Sequence, residues 1–572
     1  MGARRTEKAK HRTWAGLAGL ALSLALIGCG GLSARDFLRG YAEGRADALA
    51  AYENAALTPA QRGAVAFALS DFGALNTDTL ETHAVPWRLA AAALALKEAE
   101  AQGGAVSAAR IAPIMQRFGF IYPTHIGNWP EGLAQPLHLN GARALEAPMG
   151  LSLGVVARDV PRIRLTSANL ACASCHAGVS YDEEGRAITE VAYLGAPNTS
   201  LDLEAYVQAV YAAFRDADEA QLLSAVRTIF PDTSDAEMAT LRQFVMPRVR
   251  ARIAALEQTG GRPLPFVNGA AGLTNGVAAL RMQMGLLPAD AYARERGFTS
   301  IPDLGARGFR AMLLYDGAYA PLGEGPRAIA RADINAQHIE GLAIVTAFFT
   351  VPSMGVHPDR AAAHLGEAND VFAFLDGYEA PRFPGRIDAG RAAQGRALYA
   401  GRCASCHGVY DDNLERPALL SFPNWIGDVG TDPVRAGMFD AATAEAVRES
   451  AYGARINAQA NGRYAAPLLT GLWLSAPYLH NGAVPTLWHL MHPDARPQRF
   501  QTGGHALDFS RMGVAGEQRG EDYLYAEDYQ PWAQPTLIDT RARGLSNAGH
   551  AAEFEGLSEA EKSALIEYLK LL

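Results

Sequence analysis

The pentapeptide Cys-Ala-Ser-Cys-His occurs twice in this chain of 572 residues, at 172–176 and at 403–407. The two copies hold four of the five cysteines, so only Cys29 remains and no second pair is left for a disulfide. In C-x-x-C-H the two thiols lie one helical turn apart and can add to the vinyl groups of a haem, while the histidine binds the iron. A thioredoxin-like redox pair and half of a zinc site are the alternatives, and two complete copies disfavour both. The sequence therefore predicts two covalently bound haems c, held by Cys172, Cys175 and His176 and by Cys403, Cys406 and His407.

Residues 1–28 have the pattern of a secretory signal peptide. Five basic residues precede the apolar stretch WAGLAGLALSLALI at 14–27, which is too short for a comfortable membrane span. The stretch runs into Gly28-Cys29, which resembles the lipobox of bacterial lipoproteins; an ordinary signal peptide with a chance cysteine is the alternative. Glycines and no aspartate follow Cys29, which by the same resemblance favours the outer membrane. We expect a periplasmic, outer-membrane-anchored lipoprotein, or one that is secreted or faces the cell surface, with the lipid on Cys29 as its only contact with the membrane.

Charge and length limit the partners and the domain count. Residues 1–28 carry five of the 51 basic and one of the 60 acidic residues, so the remainder has 46 against 59 and a formal charge of −13. Such an acidic chain is a poor match for nucleic acid or for anionic substrates. Its length predicts two or three domains. We place an N-terminal helical extension at 29–107, a first haem domain at 108–385 and a second at 386–572, because Gly and Pro in 376–387 indicate a linker.

Helical spacing of apolar residues prevails along the chain, so the predicted fold is mainly α, with two cytochrome c-like haem domains, long irregular loops and little β. After the linker, Asp388 can cap a helix that ends just before Cys403. Ser558 and Glu561 form a capping box for a last helix, and Gly395 would let the two helices cross closely. Small c-type cytochrome domains close over haem in this way.

The second half also resembles the C-terminal domain of the bacterial di-haem cytochrome c peroxidase and MauG superfamily, in particular its RoxA-like branch of rubber oxygenases. The resembling blocks are APLLTGLWLSAPYLHNGAVPTLW at 466–488, RPQR with FQTGGHALDF at 496–509, and residues 546–572. The resemblance covers 386–572 well, 108–210 moderately, and little of 29–107 or 230–375. It implies a reactive N-terminal haem and an electron-transfer C-terminal haem. Whether a calcium ion lies between the haems, as in much of that superfamily, stays open.

The axial ligands of each iron decide its function, because an iron with two strong ligands passes electrons but cannot bind dioxygen or peroxide. For the second haem we predict His550, which lies where the rubber-oxygenase branch resembles a bis-histidine site. His480 is the second candidate, and the favoured alternative role is a hydrogen bond to a haem propionate or to a backbone carbonyl of its loop PYLHNG. Methionine, common in the wider superfamily, stays open through Met438 and Met491. The remaining histidines of this domain are His489, His492 and His505.

The first haem has no equally good sixth ligand in the sequence. His125 and His138 are candidates to line its pocket, with structural roles as the alternative. Trp129 and Trp425 could relay electrons between the haems, although ordinary packing is favoured for both. Residues 230–375, which should build a substrate pocket, contain no tryptophan; their aromatic residues are phenylalanines and tyrosines. No catalytic side chain is assigned.

Three functions are consistent with this pattern. The chain is an oxygenase whose first haem activates dioxygen for an apolar substrate, a peroxidase that reduces hydrogen peroxide with electrons from the second haem, or a pure electron carrier. The length disfavours the carrier, because enclosing a haem takes only about 100 residues per domain. A small redox protein is the expected electron donor for either enzyme.

Overall fold

The computed structural model describes residues 41–43, 52, 56–70, 84–137, 147–158, 162–353, 357–361 and 365–572. Cys29, His138 and the predicted signal peptide lie outside these ranges. Within them, no helix has both the length and the apolar character that crossing a bilayer requires.

The part of the chain before the second motif contains most of the longer helices. The helices are α1 Pro59–Leu69, α2 Trp87–Gln102, α3 Ile111–Arg117, α4 Cys172–His176, α5 Leu203–Asp216, α6 Glu219–Ile229, α7 Asp235–Thr240, α8 Met246–Gln258, α9 Gly276–Gln283, α10 Ala291–Arg294, α11 Ala336–Ser353, α12 Pro358–Ala361 and α13 Leu365–Asp376. The strands are β1 Tyr41–Glu43, β2 Val85–Pro86, β3 His125–Ile126, β4 Leu151–Arg158, β5 Ile163–Leu170, β6 Ala177–Tyr181, β7 Ala187–Leu194, β8 Leu273–Thr274, β9 Thr299–Ser300, β10 Tyr319–Pro321 and β11 Ile329–Ala330.

The part from residue 389 onward has shorter elements. Its helices are α14 Ala389–Arg402, α15 Ala404–His407, α16 Val434–Met438, α17 Ala441–Glu449, α18 Leu487–Met491 and α19 Glu559–Leu569. Its strands are β12 Val409–Tyr410, β13 Leu419–Phe422, β14 Ile426–Gly427, β15 Ile456–Ala458, β16 Tyr464–Ala465, β17 Arg499–Thr502, β18 Leu507–Asp508, β19 Gly513–Val514, β20 Glu517–Arg519, β21 Asp522–Leu524 and β22 Thr536–Asp539.

The strands form small sheets that frame the two motifs. The order β1-β4-β5-β2 places the antiparallel β4/β5 pair directly before the first motif, and β3-β7-β6 follows it. Two further pairs, β10 with β15 and β11 with β13, join residues 319–330 to residues 419–458. The segment that precedes the predicted linker is therefore interlocked with the segment that follows it.

The predicted closure of the C-terminal helices is confirmed. Asp388 accepts a hydrogen bond from the Arg391 amide at the start of α14, and the Ser558–Glu561 capping box begins α19. At Gly395 a Cβ atom would lie 2.0 Å from the carbonyl oxygen of Ala564, so only glycine permits this crossing. Residues 377–388 form no helix or strand, and Asp376, where the predicted linker begins, ends α13.

Candidate haem sites

The first motif forms the one-turn helix α4, between β5 and β6. Nδ1 of His176 donates a hydrogen bond to the carbonyl oxygen of Pro302, with a nitrogen–oxygen distance of 3.1 Å. This bond fixes the tautomer in which Nε2 carries a lone pair for a metal. Burial, and then the positive charge of Arg307, lower the pKa of His176 to about 3, so the imidazole is neutral at physiological pH.

The second motif repeats this arrangement. His407 ends the short helix α15, and its Nδ1 donates to the carbonyl oxygen of Pro467 at 3.0 Å. Burial, followed by the charge of His550, lowers the pKa of His407 to about 4. Each motif histidine therefore has one ring nitrogen bound to a proline carbonyl and the other free to bind a metal.

The two prolines begin loops that match each other position by position, without a gap. Residues 302–318, PDLGARGFRAMLLYDGA, and 467–483, PLLTGLWLSAPYLHNGA, share Pro, Leu, Ala, Leu, Gly and Ala at equivalent positions. Both loops contain a 3-10 turn, at Arg307–Phe309 and Leu472–Leu474, and both have leucine in the left-handed region, at φ 69° for Leu314 and 68° for Leu479. Sequence analysis missed this repeat, although comparing the sequence with itself at this spacing would have found it.

The two loops meet each other through reciprocal hydrogen bonds. The amide of Ser300 donates to the carbonyl of His480 at 2.7 Å, and the amide of Ala465 donates to the carbonyl of Tyr315 at 2.8 Å. Ser300 is equivalent to Ala465, and Tyr315 is equivalent to His480, at the same spacing as the two prolines. The contact therefore has local two-fold symmetry. It joins the two loops whose proline carbonyls bind the motif histidines.

The second motif faces a second histidine. The rings of His407 and His550 have centroids 6.0 Å apart and planes inclined by 27°. Nδ1 of His550 lies 3.3 Å from a carboxylate oxygen of Glu553, and the ring of Phe554 stacks on that of His550 with centroids 5.4 Å apart. Burial lowers the pKa of His550, which keeps it neutral.

The other candidate ligands of this half are engaged elsewhere. Nε2 of His480 lies 3.0 Å from the Tyr464 hydroxyl and its Nδ1 lies 3.4 Å from the Thr431 hydroxyl. The ring is therefore hydrogen-bonded, but to side chains outside its own loop. His489 bonds Thr486, His492 bonds Glu559, and His505 lies near Thr199. Met438 and Met491 are buried in apolar clusters.

The first motif instead faces a cavity of about 430 Å³, within the range of sites for small molecules and cofactors. Cys172, Cys175 and His176 line it. Among its described lining residues His176 is the only histidine, and none is methionine, lysine or glutamate. The apolar part of the wall comprises, among others, Phe67, Leu280, Tyr319, Phe349, Val371 and Phe372.

Of the described side chains proposed to line this pocket or to relay electrons, His125, Trp129 and Trp425 are not among its lining residues. His125 is exposed in β3, and His138 lies outside the described residues. Trp129 packs against Tyr52 and donates to the Ala134 carbonyl, which is the structural role that the sequence favoured. Trp425 is half-buried, and its carbonyl accepts from the amide of Ala466, beside Pro467.

The donor set fits haem better than the alternatives. Burial raises the pKa of Cys172 and of Cys175 to about 12, so both are protonated thiols at neutral pH in the absence of a metal ion. No group of three or more His, Cys, Asp or Glu that could hold a metal ion occurs among the described residues. The described side chains therefore add no support for zinc or for calcium, whereas thioether formation needs only thiols beside a cavity with a neutral histidine.

Comparison with known proteins supports the same cofactor for the C-terminal part. Residues 462–501 match the family model described as RoxA-like, cytochrome c-like. The match contains Pro467 and the second repeated loop, and it supports a haem oxidoreductase with covalently bound haem c.

Two curated proteins of Sinorhizobium fredii (strain NBRC 101917 / NGR234) are similar to parts of the chain. Uncharacterized protein y4iM is 31% identical over 221 residues, 34% of this chain and 48% of its own length. Uncharacterized protein y4iJ is 29% identical over 263 residues, 34% of this chain and 42% of its own length. The chain thus spans less than half the length of each of these relatives.

Proposed function

We propose that the chain is an exported di-haem c-type cytochrome that acts as an oxidoreductase. In this proposal the haem on Cys172, Cys175 and His176 activates dioxygen, and the haem on Cys403, Cys406 and His407 supplies the electrons. The observation that carries the proposal is that His176 and His407 are held alike by Pro302 and Pro467, yet His407 faces an imidazole and His176 faces a cavity. Such an enzyme needs one iron with both axial positions occupied, which transfers electrons, and one iron with a free axial position, which binds the oxidant.

The spacing of the two imidazoles supports the axial pair His407 and His550. Imidazole–metal bonds are about 2.0 Å long, and each nitrogen lies about 1 Å from its ring centre, so an intervening metal places the centres about 6 Å apart. The separation found is 6.0 Å. Glu553 lies 3.3 Å from Nδ1 of His550, and its negative charge partly offsets the lowering of the His550 pKa by burial.

The wall of the first cavity favours dioxygen over peroxide as the oxidant. Haem supplies the binding and reduction of an oxidant, but cleavage of the peroxide O–O bond is assisted by acid–base side chains. Asp303 is the only carboxylic residue among the described lining residues, and it accepts hydrogen bonds from the Tyr378 hydroxyl and the Gly305 amide, both at 2.7 Å. The wall also carries Arg307, Arg310 and Arg435, but its apolar and aromatic part suits an apolar substrate, while hydrogen peroxide stays the alternative oxidant.

The burial of the two motifs supports different roles. Ala173 and Ser174 inside the first motif are each 1% exposed, whereas the equivalent Ala404 is half-buried and Ser405 is exposed. Beside the second motif, Val409 and Leu420 are each 48% exposed. A haem on the second motif would therefore have an accessible edge, which suits a small redox protein as electron donor.

The cellular location is part of the proposal. Covalent attachment of haem c takes place outside the cytoplasm, which agrees with the predicted signal peptide and with a lipid at Cys29. The periplasm or outer membrane is the proposed site, with the cell surface or secretion as the alternative. Mass spectrometry of the N-terminus should find an acylated Cys29, and a free N-terminus at another residue would contradict the anchor.

Optical spectra of the purified protein test the proposed reaction. After reduction, dioxygen should change the spectrum of one haem persistently, and a polyisoprene should be cleaved with consumption of dioxygen. Hydrogen peroxide should produce no turnover with a reduced cytochrome. Rapid peroxide-dependent oxidation of such a donor, without cleavage of the polymer, would favour the peroxidase; no reaction with either oxidant would leave an electron carrier.

A further inference from the structure

The two repeated loops differ in charge at two equivalent positions. Arg307 and Arg310 in the first loop correspond to Leu472 and Ser475 in the second when Pro302 is aligned with Pro467. All four side chains line the one cavity. The second loop is therefore an uncharged counterpart of the first loop within the same chain.

Neither arginine forms an ion pair with a described carboxylate. Arg307 donates through Nη2 to the backbone carbonyl of Asp303, and its Nε has no acceptor among the described residues. Arg310 is 4% exposed and donates to the backbone carbonyls of Met312 at 3.0 Å and Ala466 at 2.6 Å. Both guanidinium groups therefore keep a positive charge that no described side chain neutralises by direct contact.

Two buried guanidinium groups on one wall make an energetically costly arrangement. Burial, and then the like charge of Arg307, lower the pKa of Arg310 to about 9, and burial lowers the pKa of Arg307. Buried charges in proteins are normally paired, so the wall calls for an anionic partner. A haem c on Cys172 and Cys175 would bring two propionate carboxylates into this cavity, which matches the two cations in number. A guanidinium group forms strong charge-assisted hydrogen bonds with a carboxylate.

The surrounding charges do not remove the difference between the two sites. Near the first motif, Arg435 is paired with Asp316 at 2.7 Å, and Asp303 and Glu367 supply negative charge. Near the second, Arg496 and Glu553 act on His550 with opposite signs. Arg307 lowers the pKa of His176, while no arginine has a corresponding effect on His407.

We propose that Arg307 and Arg310 hold the propionates of the first haem and raise its reduction potential above that of the second. This inference rests on the proposed function and adds the direction of electron flow. A nearby cation favours the ferrous over the ferric iron, because the ferrous centre carries one positive charge less. With both haems bound, one electron would pass from the second iron, oxidised from ferrous to ferric, to the first, reduced from ferric to ferrous, and no proton would be transferred.

The test converts the first loop into the second by Arg307→Leu with Arg310→Ser. Potentiometric titration followed by absorption spectra resolves the two haems, since the one with an open position is high-spin and the bis-histidine one is low-spin. The equilibrium constant for electron transfer from the second haem to the first should fall roughly tenfold for each arginine removed. This magnitude follows from a unit charge at about 10 Å from the iron and an effective dielectric constant of about 20. The potential of the second haem should change less than that of the first.

Matched variants separate charge from structure. Arg307→Lys keeps the charge and should retain most of the potential, whereas Arg307→Gln should lose it; these single changes also serve if the double variant does not fold. Arg331 is exposed and lies over the ring of Phe309, so Arg331→Leu serves as the control. It should leave the reduction potentials of both haems unchanged. Unchanged potentials in a double variant with both haems attached would overturn the inference. A protein with no haem on the first motif would instead overturn the proposed function.

Discussion

Replacing His550 by glycine should open the second haem to external ligands without unfolding the domain. His550 has φ 51°, in the left-handed region, where a side chain other than glycine costs roughly 1–2 kcal/mol. Glycine removes that strain, which offsets part of the cost of losing the stacking on Phe554, about 0.5–1.5 kcal/mol, and of leaving a cavity. The variant should therefore fold with both haems attached.

The cavity that His550→Gly leaves has the shape of one imidazole. Because the rings of His407 and His550 are 6.0 Å apart, free imidazole can take the place of the lost ring on the opposite side of the iron. We expect the low-spin spectrum of the second haem to become high-spin, to bind carbon monoxide when reduced, and to return to low-spin when imidazole is added.

Absorption and electron paramagnetic resonance spectra, at equal haem content, measure this change. The control is His480→Asn, which should leave the spin state unaltered, because both ring nitrogens of His480 are hydrogen-bonded to Tyr464 and Thr431. If His550→Gly keeps the low-spin spectrum while His480→Asn loses it, the assignment of the axial pair is wrong.

Three further predictions concern the stability of the fold and the number of haems. Gly395→Ala should lower the free energy of unfolding by about 1–3 kcal/mol, seen in denaturant titration, because the new methyl group meets the Ala564 carbonyl; an unchanged midpoint would contradict the close crossing. Burial lowers the pKa of His480 to about 3, so its contribution to stability is present above the unfolded pKa near 6.5 and is lost as pH falls towards 3. In that pH window the free energy of unfolding of His480→Asn should therefore fall less steeply with decreasing pH than that of the unchanged protein, by up to about 1.4 kcal/mol per pH unit. Equal slopes for the two proteins would refute this. Cys403→Ala with Cys406→Ala should leave one haem by pyridine-haemochrome assay, and two remaining haems would contradict covalent attachment there.

The C-terminal site could be predicted from sequence largely because its signals are local. The capping residues Asp388 and Ser558, the close approach at Gly395 and the two motifs act over a few residues, where side-chain chemistry determines the geometry. The pairing of His407 with His550 needed the family resemblance as well, because the two histidines lie near opposite ends of the C-terminal half.

The first site was less accessible to sequence reasoning because distant segments build it. The carbonyl that orients His176 comes from Pro302, and the apolar wall combines residues of α1, α11 and α13 with the β5 strand end. No local pattern marks a proline as the partner of a histidine 126 residues away. The domain boundary at 385/386 likewise separates segments that the β10/β15 pair joins, since strand pairing depends on the tertiary fold.

Titration of the fully reduced protein with carbon monoxide tests the central claim most directly. Two haems c of which one is saturated by His407 and His550 should bind one carbon monoxide per chain, and the other half of the haem absorbance should not change. Binding of two molecules, or of none, with both haems shown to be attached would contradict the division into one open and one saturated site.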